Sequence, residues 1–203
     1  MTAQLDELTA KLRSVEAEIE AELAKRREEL RFHLENRRIV FEKEILRIHR
    51  ELKTRATRYL IDANPLMILS APVIYSLVVP IALLDIWVMA YQAICFPIYK
   101  IPKVRRRDYL VFDRHHLAYL NVLEKLNCAY CSYANGLIAY TREIAARTEQ
   151  YWCPIKHALR VIGSHARYAM FDDYGNAEGY QERLVQLRAG LAKDDGSGPR
   201  TST

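Results

Sequence analysis

The sequence has little glycine, proline or cysteine: seven, seven and four residues respectively in a chain of 203. The low glycine and proline content excludes collagen-like and low-complexity chains. The sparse cysteine excludes a small fold stapled by disulfides. With 50% hydrophobic and 27% charged residues, the chain is not disordered throughout. Its net charge is modest, 30 Lys+Arg against 25 Asp+Glu, or +5. Charged and apolar residues, however, occupy separate blocks.

No alternation of Val, Ile and Thr suggests strands, so we predict an all-α chain. Residues 1–58 contain no glycine or proline, and their composition predicts one long helix. Its first apolar residues follow the heptad spacing 3, 4, 3, 4, which is typical of a coiled coil: Leu5, Leu8, Leu12, Val15 and Ile19. Two interpretations stay open. The helix packs on its own domain, or it joins a second copy or a partner protein.

Charge changes sign along this predicted helix. Residues 1–24 hold two basic and six acidic side chains, whereas residues 25–58 hold twelve basic and six acidic ones. The basic half leads into the next block. Attraction to anionic lipid head groups would explain that placement, and a solvated charged face is the plainer alternative.

A long hydrophobic block occupies residues 65–99. Asp85 is its only charge, and Leu66–Leu84 is an uncharged run of 19 residues. Runs of about 18 or more apolar residues are typical of membrane-embedded segments. Trp87 and Tyr99 lie toward its end, where we expect aromatic side chains at the lipid–water boundary.

Basic residues flank this block on both sides. Lys53, Arg55 and Arg58 precede it, and a connector with Arg105, Arg106 and Arg107 follows it. Positive flanks are retained in the cytoplasm. We therefore expect a membrane-embedded helical hairpin, with both terminal regions on the cytoplasmic side of the membrane and the three connector arginines on lipid head groups.

The turn of this hairpin is predicted at Pro80 and Asp85, because proline breaks helices and a carboxylate is costly in lipid. Asp85 then lies near water at the tip, or it has a functional role. A single pass through Leu66–Leu84 is the alternative topology.

Residues 100–192 are predicted to form a cytoplasmic helical domain, with helices near 133–151, 154–171 and 177–191, and residues 193–203 to be disordered. This domain contains a C-x2-C pair and a C-x3-H pair: Cys128 and Cys131, then Cys153 and His157. Together they could form a Cys₃His structural site, with zinc as the expected metal. The chain would have to reverse near Asn135-Gly136. An iron–sulfur cluster ranks lower because it favours four thiolates, and three thiols in a helical core are the alternative.

The strings Leu126-Asn127-Cys128-Ala129-Tyr130-Cys131 and Tyr151-Trp152-Cys153-Pro154-Ile155-Lys156-His157 resemble those of a group of small bacterial membrane proteins. The resemblance runs from the hydrophobic block to His157. It implies a bacterial origin and an inner-membrane location. It implies no activity.

These features favour a membrane-associated structural or partner-binding protein, with an anionic bilayer as one partner and a second copy or another protein as the other, through residues 1–58. The alternative is a membrane-bound metalloenzyme or thiol redox protein that uses Cys128, Cys131 and Cys153. No hydrolase, nucleotide-binding or metalloprotease motif supports an enzyme. Nucleic-acid binding ranks last, because the basic residues flank an apolar block and lipid head groups are the nearer anions.

Overall fold

A computed structural model describes residues 2–30, 32–35, 38–41, 43–61 and 63–194. The fold is mostly helical, as predicted. The helices are α1 (Thr2–Glu29), α2 (Lys43–Glu51), α3 (Ala56–Ile61), α4 (Pro65–Ser76), α5 (Val78–Tyr99), α6 (Val122–Trp152) and α7 (Tyr180–Ala192). Three short 3-10 helices span Arg106–Asp108, Arg114–His116 and Ala166–Met170. The strands found among the described residues are β1 (Phe32–Glu35) and β2 (Arg38–Phe41).

The prediction of one continuous helix over residues 1–58 is wrong. After α1 the chain forms an antiparallel hairpin in which Phe32 pairs with Phe41 and Leu34 with Ile39. The run Ile39-Val40-Phe41 is rich in β-branched and aromatic side chains, which favour strands over helix. The helical pattern resumes only at α2.

The chain divides into two compact units. The first contains residues up to Ala63 together with Asp113–Ala129, and the second contains Asn64–Phe112 and the described residues from Tyr130 onward. Helix α6 begins in the first unit and continues in the second.

In the first unit, the start of α6 is fixed by a reciprocal capping box. The Asn121 side chain accepts a hydrogen bond from the Glu124 backbone N–H at 3.1 Å, and the Glu124 carboxylate accepts one from the Asn121 N–H at 2.8 Å. The N-cap of α6 is therefore Asn121. In the same unit, the His49 ring meets the rings of Phe41 and Tyr119 edge-on, at centroid distances of 5.3 and 5.1 Å.

In the second unit, α4 and α5 form a nearly continuous helical segment. The Asn64 side chain caps α4 by accepting from the Leu66 N–H at 2.9 Å, and Pro65 occupies the first helical position. A single residue, Leu77, separates the two helices and keeps helical torsion angles. Pro80 explains this break, because it has no N–H for the Ser76 carbonyl.

The turn predicted at Pro80 and Asp85 is absent, since Val78–Tyr99 is helical through both residues. Pro80 lies in the first turn of α5, where proline is tolerated. The chain leaves α5 instead at Lys100, which has a left-handed φ of 56°. There the Ile101 N–H donates to the Phe96 carbonyl at 2.8 Å, as in a Schellman motif.

Helices α5 and α6 run side by side in the same direction. Their contacts advance together along both helices, from Asp85–Tyr133 through Gln92–Tyr140 to Tyr99–Tyr151. The connector after α5 returns between them in the opposite direction. It places the Pro102 carbonyl near Arg147, Val104 near Gln92, and Arg106 near Asp85. Buried apolar residues of all three segments form the core: Val88, Phe96, Ile101, Val104, Leu110, Leu137, Tyr140 and Ile144, joined by Leu191 of α7.

The helix predicted over 154–171 is also corrected. Ile155 and Asp172 form a parallel bridge, in which the Asp172 N–H donates to the Pro154 carbonyl at 2.8 Å and the Lys156 N–H donates to the Asp172 carbonyl at 2.7 Å. This bridge holds the start of the segment extended and leaves only the short helix Ala166–Met170. The last helix, predicted at 177–191, is α7.

Candidate functional site

The most conspicuous surface of the second unit is the apolar helix α4–α5. Among the described residues, Pro65–Tyr99 is the one helix long and apolar enough to cross a membrane, with a mean hydropathy of 2.3, and its most apolar stretch is not buried by the rest of the chain. Leu69 is 75% exposed and Trp87 is 78% exposed. We call the following exposed side chains the apolar surface: Leu66, Met67, Leu69, Val73, Val79, Leu83, Ile86, Trp87, Ile94 and Ile98. Contiguous exposed patches of this kind mark sites of protein or membrane contact.

One stripe of α5 is different because it faces the interior. Asp85, Val88, Gln92 and Phe96 are buried, and their spacing of 3, 4 and 4 places them on a single side of the helix. The opposite side carries Ile94 and Ile98, which are exposed. Helix α5 therefore has a domain-facing stripe that includes two polar residues, and an outer face that is apolar.

Asp85 is hydrogen-bonded by two side chains of the domain and does not lie at a hairpin tip. Its carboxylate accepts two hydrogen bonds from the Arg106 guanidinium, at 2.6 and 3.3 Å, and a third from the Tyr133 hydroxyl at 3.0 Å. The hydrogen bond to Asp85 raises the pKa of Arg106. Burial, together with the hydrogen bond to Asp85, raises the pKa of Tyr133. Both donors are thus protonated at neutral pH, and the carboxylate is compensated.

Gln92 attaches the connector to α5. Its side-chain carbonyl accepts from the Val104 N–H at 2.6 Å, and its amide N–H donates to the Tyr140 hydroxyl at 2.9 Å. On the other side, Gly136 of α6 lets the connector backbone approach closely, since a Cβ there would stand 2.6 Å from the Tyr109 carbonyl oxygen. One amide side chain and one glycine thus hold the return segment between the two helices.

A second buried ionic cluster lies toward the C-terminal end of α6. The Glu143 carboxylate accepts from both Arg147 and Arg167 at 2.9 Å, and Arg167 also pairs with Asp194. Burial opposes the charge on Arg167, but its hydrogen bonds to Asp194 and Glu143 raise its pKa. Asp194 is therefore fixed, although residues from 193 onward were predicted to be disordered. The rest of that predicted tail lies outside the described residues.

The residues predicted to contact lipid differ in their exposure and in their contacts. Trp87 is on the apolar surface, and Arg105 and Arg107 are exposed. Arg106 is engaged by Asp85. Tyr99 is half-buried and packs its ring against Tyr151 and Trp152, at centroid distances of 5.1 and 5.3 Å.

The structure does not bring the predicted Cys₃His set together. Helix α6 is continuous through Asn135-Gly136, so the reversal needed to join the two pairs is absent. Cys131 and Cys153 are 22 residues apart on or just beyond this helix, which corresponds to about 33 Å. Cys131 and Cys153 are exposed, and Cys128 is partly buried, so they are not thiols of a helical core. His157 stacks on Tyr168. Within the described part of the chain, no three His, Cys, Asp or Glu residues are placed to share a metal ion.

Comparison with known proteins gives no further assignment. No protein-family model matches the chain, and no curated protein or solved structure is significantly similar to it. The function must therefore be inferred from the apolar surface and the polar groups beneath it.

Proposed function

We propose that this protein is a membrane-anchored structural or partner-binding protein, and that the apolar surface of α4–α5 is its anchor. The observation that carries the proposal is the exposure of an uncharged run of 19 residues on one helix. Burial of apolar area contributes about 25 cal/mol per Å², so such a run has a strong preference for lipid over water. The exposed Arg105 and Arg107 add attraction to anionic head groups, which suits the cytoplasmic face of a bacterial inner membrane.

Membrane extraction of two arginine variants tests the anchor. The full chain should remain in the membrane pellet after an alkaline carbonate wash and should float with anionic lipid vesicles in a density gradient. Leu69→Arg combined with Val73→Arg places two charges on the apolar surface and should shift the protein to the supernatant. Val185→Arg, at an equally exposed position of α7, is the matched control and should stay with the membrane. Wild-type protein that is monodisperse in the supernatant without detergent contradicts the proposal.

We assign the partner-binding role to α1. Val15, Ile19 and Leu23 are exposed on this helix at a spacing of four residues, so they form one apolar stripe without cover in the described part of the chain. A second copy of α1 would cover it. Analytical ultracentrifugation of the full chain in detergent should give an oligomer, which Ile19→Asp dissociates and Ala17→Asp, nearly opposite on the helix, does not. A monomeric wild-type chain would leave a different protein as the partner.

A further inference from the structure

We propose that α4–α5 lies along one leaflet of the bilayer rather than across it, so that the chain before and after the helix stays in one aqueous compartment. This proposal rests on the proposed function, because it takes the apolar surface to be in lipid. It replaces both topologies expected from the sequence, the hairpin and the single pass.

The composition of the first unit is the first reason. This unit contains residues from before the apolar helix and residues from after it, namely the segments up to Ala63 and Asp113–Ala129. The His49 ring contacts the Tyr119 ring at 5.1 Å within it. A helix that crossed the bilayer would put these two rings on opposite sides of a hydrocarbon layer about 30 Å thick. The contact requires both to be on the same side.

The second reason is a contact that α6 makes with the midpoint of the apolar run. The midpoint of Leu66–Leu84 is Tyr75, whose ring meets the Tyr130 ring at 5.5 Å, while the Tyr130 hydroxyl donates to the Ile74 carbonyl at 2.9 Å. If the run crossed the membrane, Tyr130 would lie at the bilayer centre. The exposed Asn135, five residues further along the same helix, would then lie in hydrocarbon as well. Polar side chains are costly there. An orientation along the leaflet leaves this part of α6 on the water side.

The third reason is the position of the basic connector. Arg106 contacts Asp85, which is near the middle of the 35-residue segment Pro65–Tyr99 rather than beyond either end. Arg105 and Arg107, which are exposed, therefore lie beside the helix, at the level where head groups meet a helix that lies in the interface. A helix in this position buries its outer face to a depth of about 5–10 Å, and the domain-facing stripe of α5 is covered by the connector and α6.

Side-specific thiol labelling tests the orientation with the full chain. Thr54→Cys adds an exposed thiol before the helix, and Cys131 and Cys153 supply exposed thiols after it. Membranes from expressing cells are sealed right-side-out or inside-out, treated with a membrane-impermeant maleimide, and analysed by peptide mass spectrometry. All three thiols should react in the same preparation and be protected in the other until detergent is added. Reaction of the introduced thiol in one preparation and of Cys131 and Cys153 in the other overturns the proposal. Absence from both membranes contradicts the anchor itself.

A depth measurement gives an independent result. Val73→Trp, in a chain with Trp87→Phe and Trp152→Phe, places the only indole near the midpoint of the run. Lipids brominated close to the head groups should quench its fluorescence about twofold more than lipids brominated near the bilayer centre, because the helix lies shallow. Stronger quenching by the deep bromines indicates a spanning helix and overturns the proposal.

Discussion

The pairing of Asp85 with Arg106 predicts an asymmetric response to substitution. The Asp85 side chain is 7% exposed, whereas the Arg106 side chain is 41% exposed. Asp85→Asn leaves Arg106 able to hydrate, and the new amide oxygen still accepts from Tyr133. Arg106→Met leaves a buried carboxylate with Tyr133 as its remaining side-chain donor. The two substitutions break the same ion pair but leave different charges behind.

The magnitudes follow from that difference in burial. Removing one partner of a fully buried pair costs about 3–5 kcal/mol, and the Tyr133 hydrogen bond places Arg106→Met near the lower end, at about 3 kcal/mol. A half-exposed cation is screened by water, so Asp85→Asn should cost about 1 kcal/mol. The double variant should cost less than the sum of the two, because no charge is left unpaired.

Urea unfolding in detergent micelles, followed by far-UV circular dichroism, measures all three variants. Arg106→Met should lower the free energy of unfolding most. Asp85→Asn and the double variant should lower it less, and both should remain less stable than the wild type. Equal costs for the two single variants, or a larger cost for Asp85→Asn, would refute the reasoning from burial. Lys103→Met, which removes an exposed connector cation, serves as the control and should change the free energy of unfolding by less than about 0.5 kcal/mol.

Three further predictions concern the connector and its supports, and the same urea assay measures each free energy of unfolding. Lys100→Gly should stabilise the protein by about 1 kcal/mol, because φ of 56° is unfavourable for a side chain with a Cβ; a loss of stability would contradict this. Gly136→Ala should destabilise it by about 1–3 kcal/mol, since the new Cβ would overlap the Tyr109 carbonyl, whereas Gly190→Ala, with open space around it, should not. Burial raises the pKa of Tyr109 from 10.0 to about 12. The contribution of the neutral Tyr109 hydroxyl to stability is therefore complete below pH 10. It is lost as the pH rises toward 12, by about 1.4 kcal/mol per pH unit. Tyr109→Phe should make this decline shallower, and an unchanged slope between pH 10 and 12 would show that Tyr109 does not titrate there.

Local pattern was sufficient to predict the helical class and the extent of the apolar segment. The apolar run of residues 65–99 was predicted from composition alone, and the helix predicted near 177–191 corresponds to α7. The prediction of a turn inside this run was wrong, because a proline in the first turn of a helix does not indicate that the chain reverses. The β1–β2 hairpin was missed although Ile39-Val40-Phe41 favours a strand.

The site was harder to predict because its partners lie on three different segments: α5, the connector and α6. Asp85 and Arg106 are 21 residues apart, and Asp85 and Tyr133 are 48 apart. One signal was available: Asp85 and Gln92 fall on one helical face with Val88 and Phe96, which indicates a side that packs on protein rather than lipid. The Cys₃His prediction used spacing alone, and spacing does not reveal whether the chain between two pairs reverses.

The short separation between Asp85 and Arg106 bears on how the chain is made. A ribosome exposes α5 and the connector well before it completes α6, and closing a loop of 21 residues is entropically inexpensive. The Asp85 carboxylate, in the middle of the apolar segment, can therefore acquire its counter-ion while synthesis is still under way. Under the proposed anchoring, the nascent chain reaches the bilayer with that charge already neutralised, and Tyr133 joins the pair only when the rest of the domain has emerged.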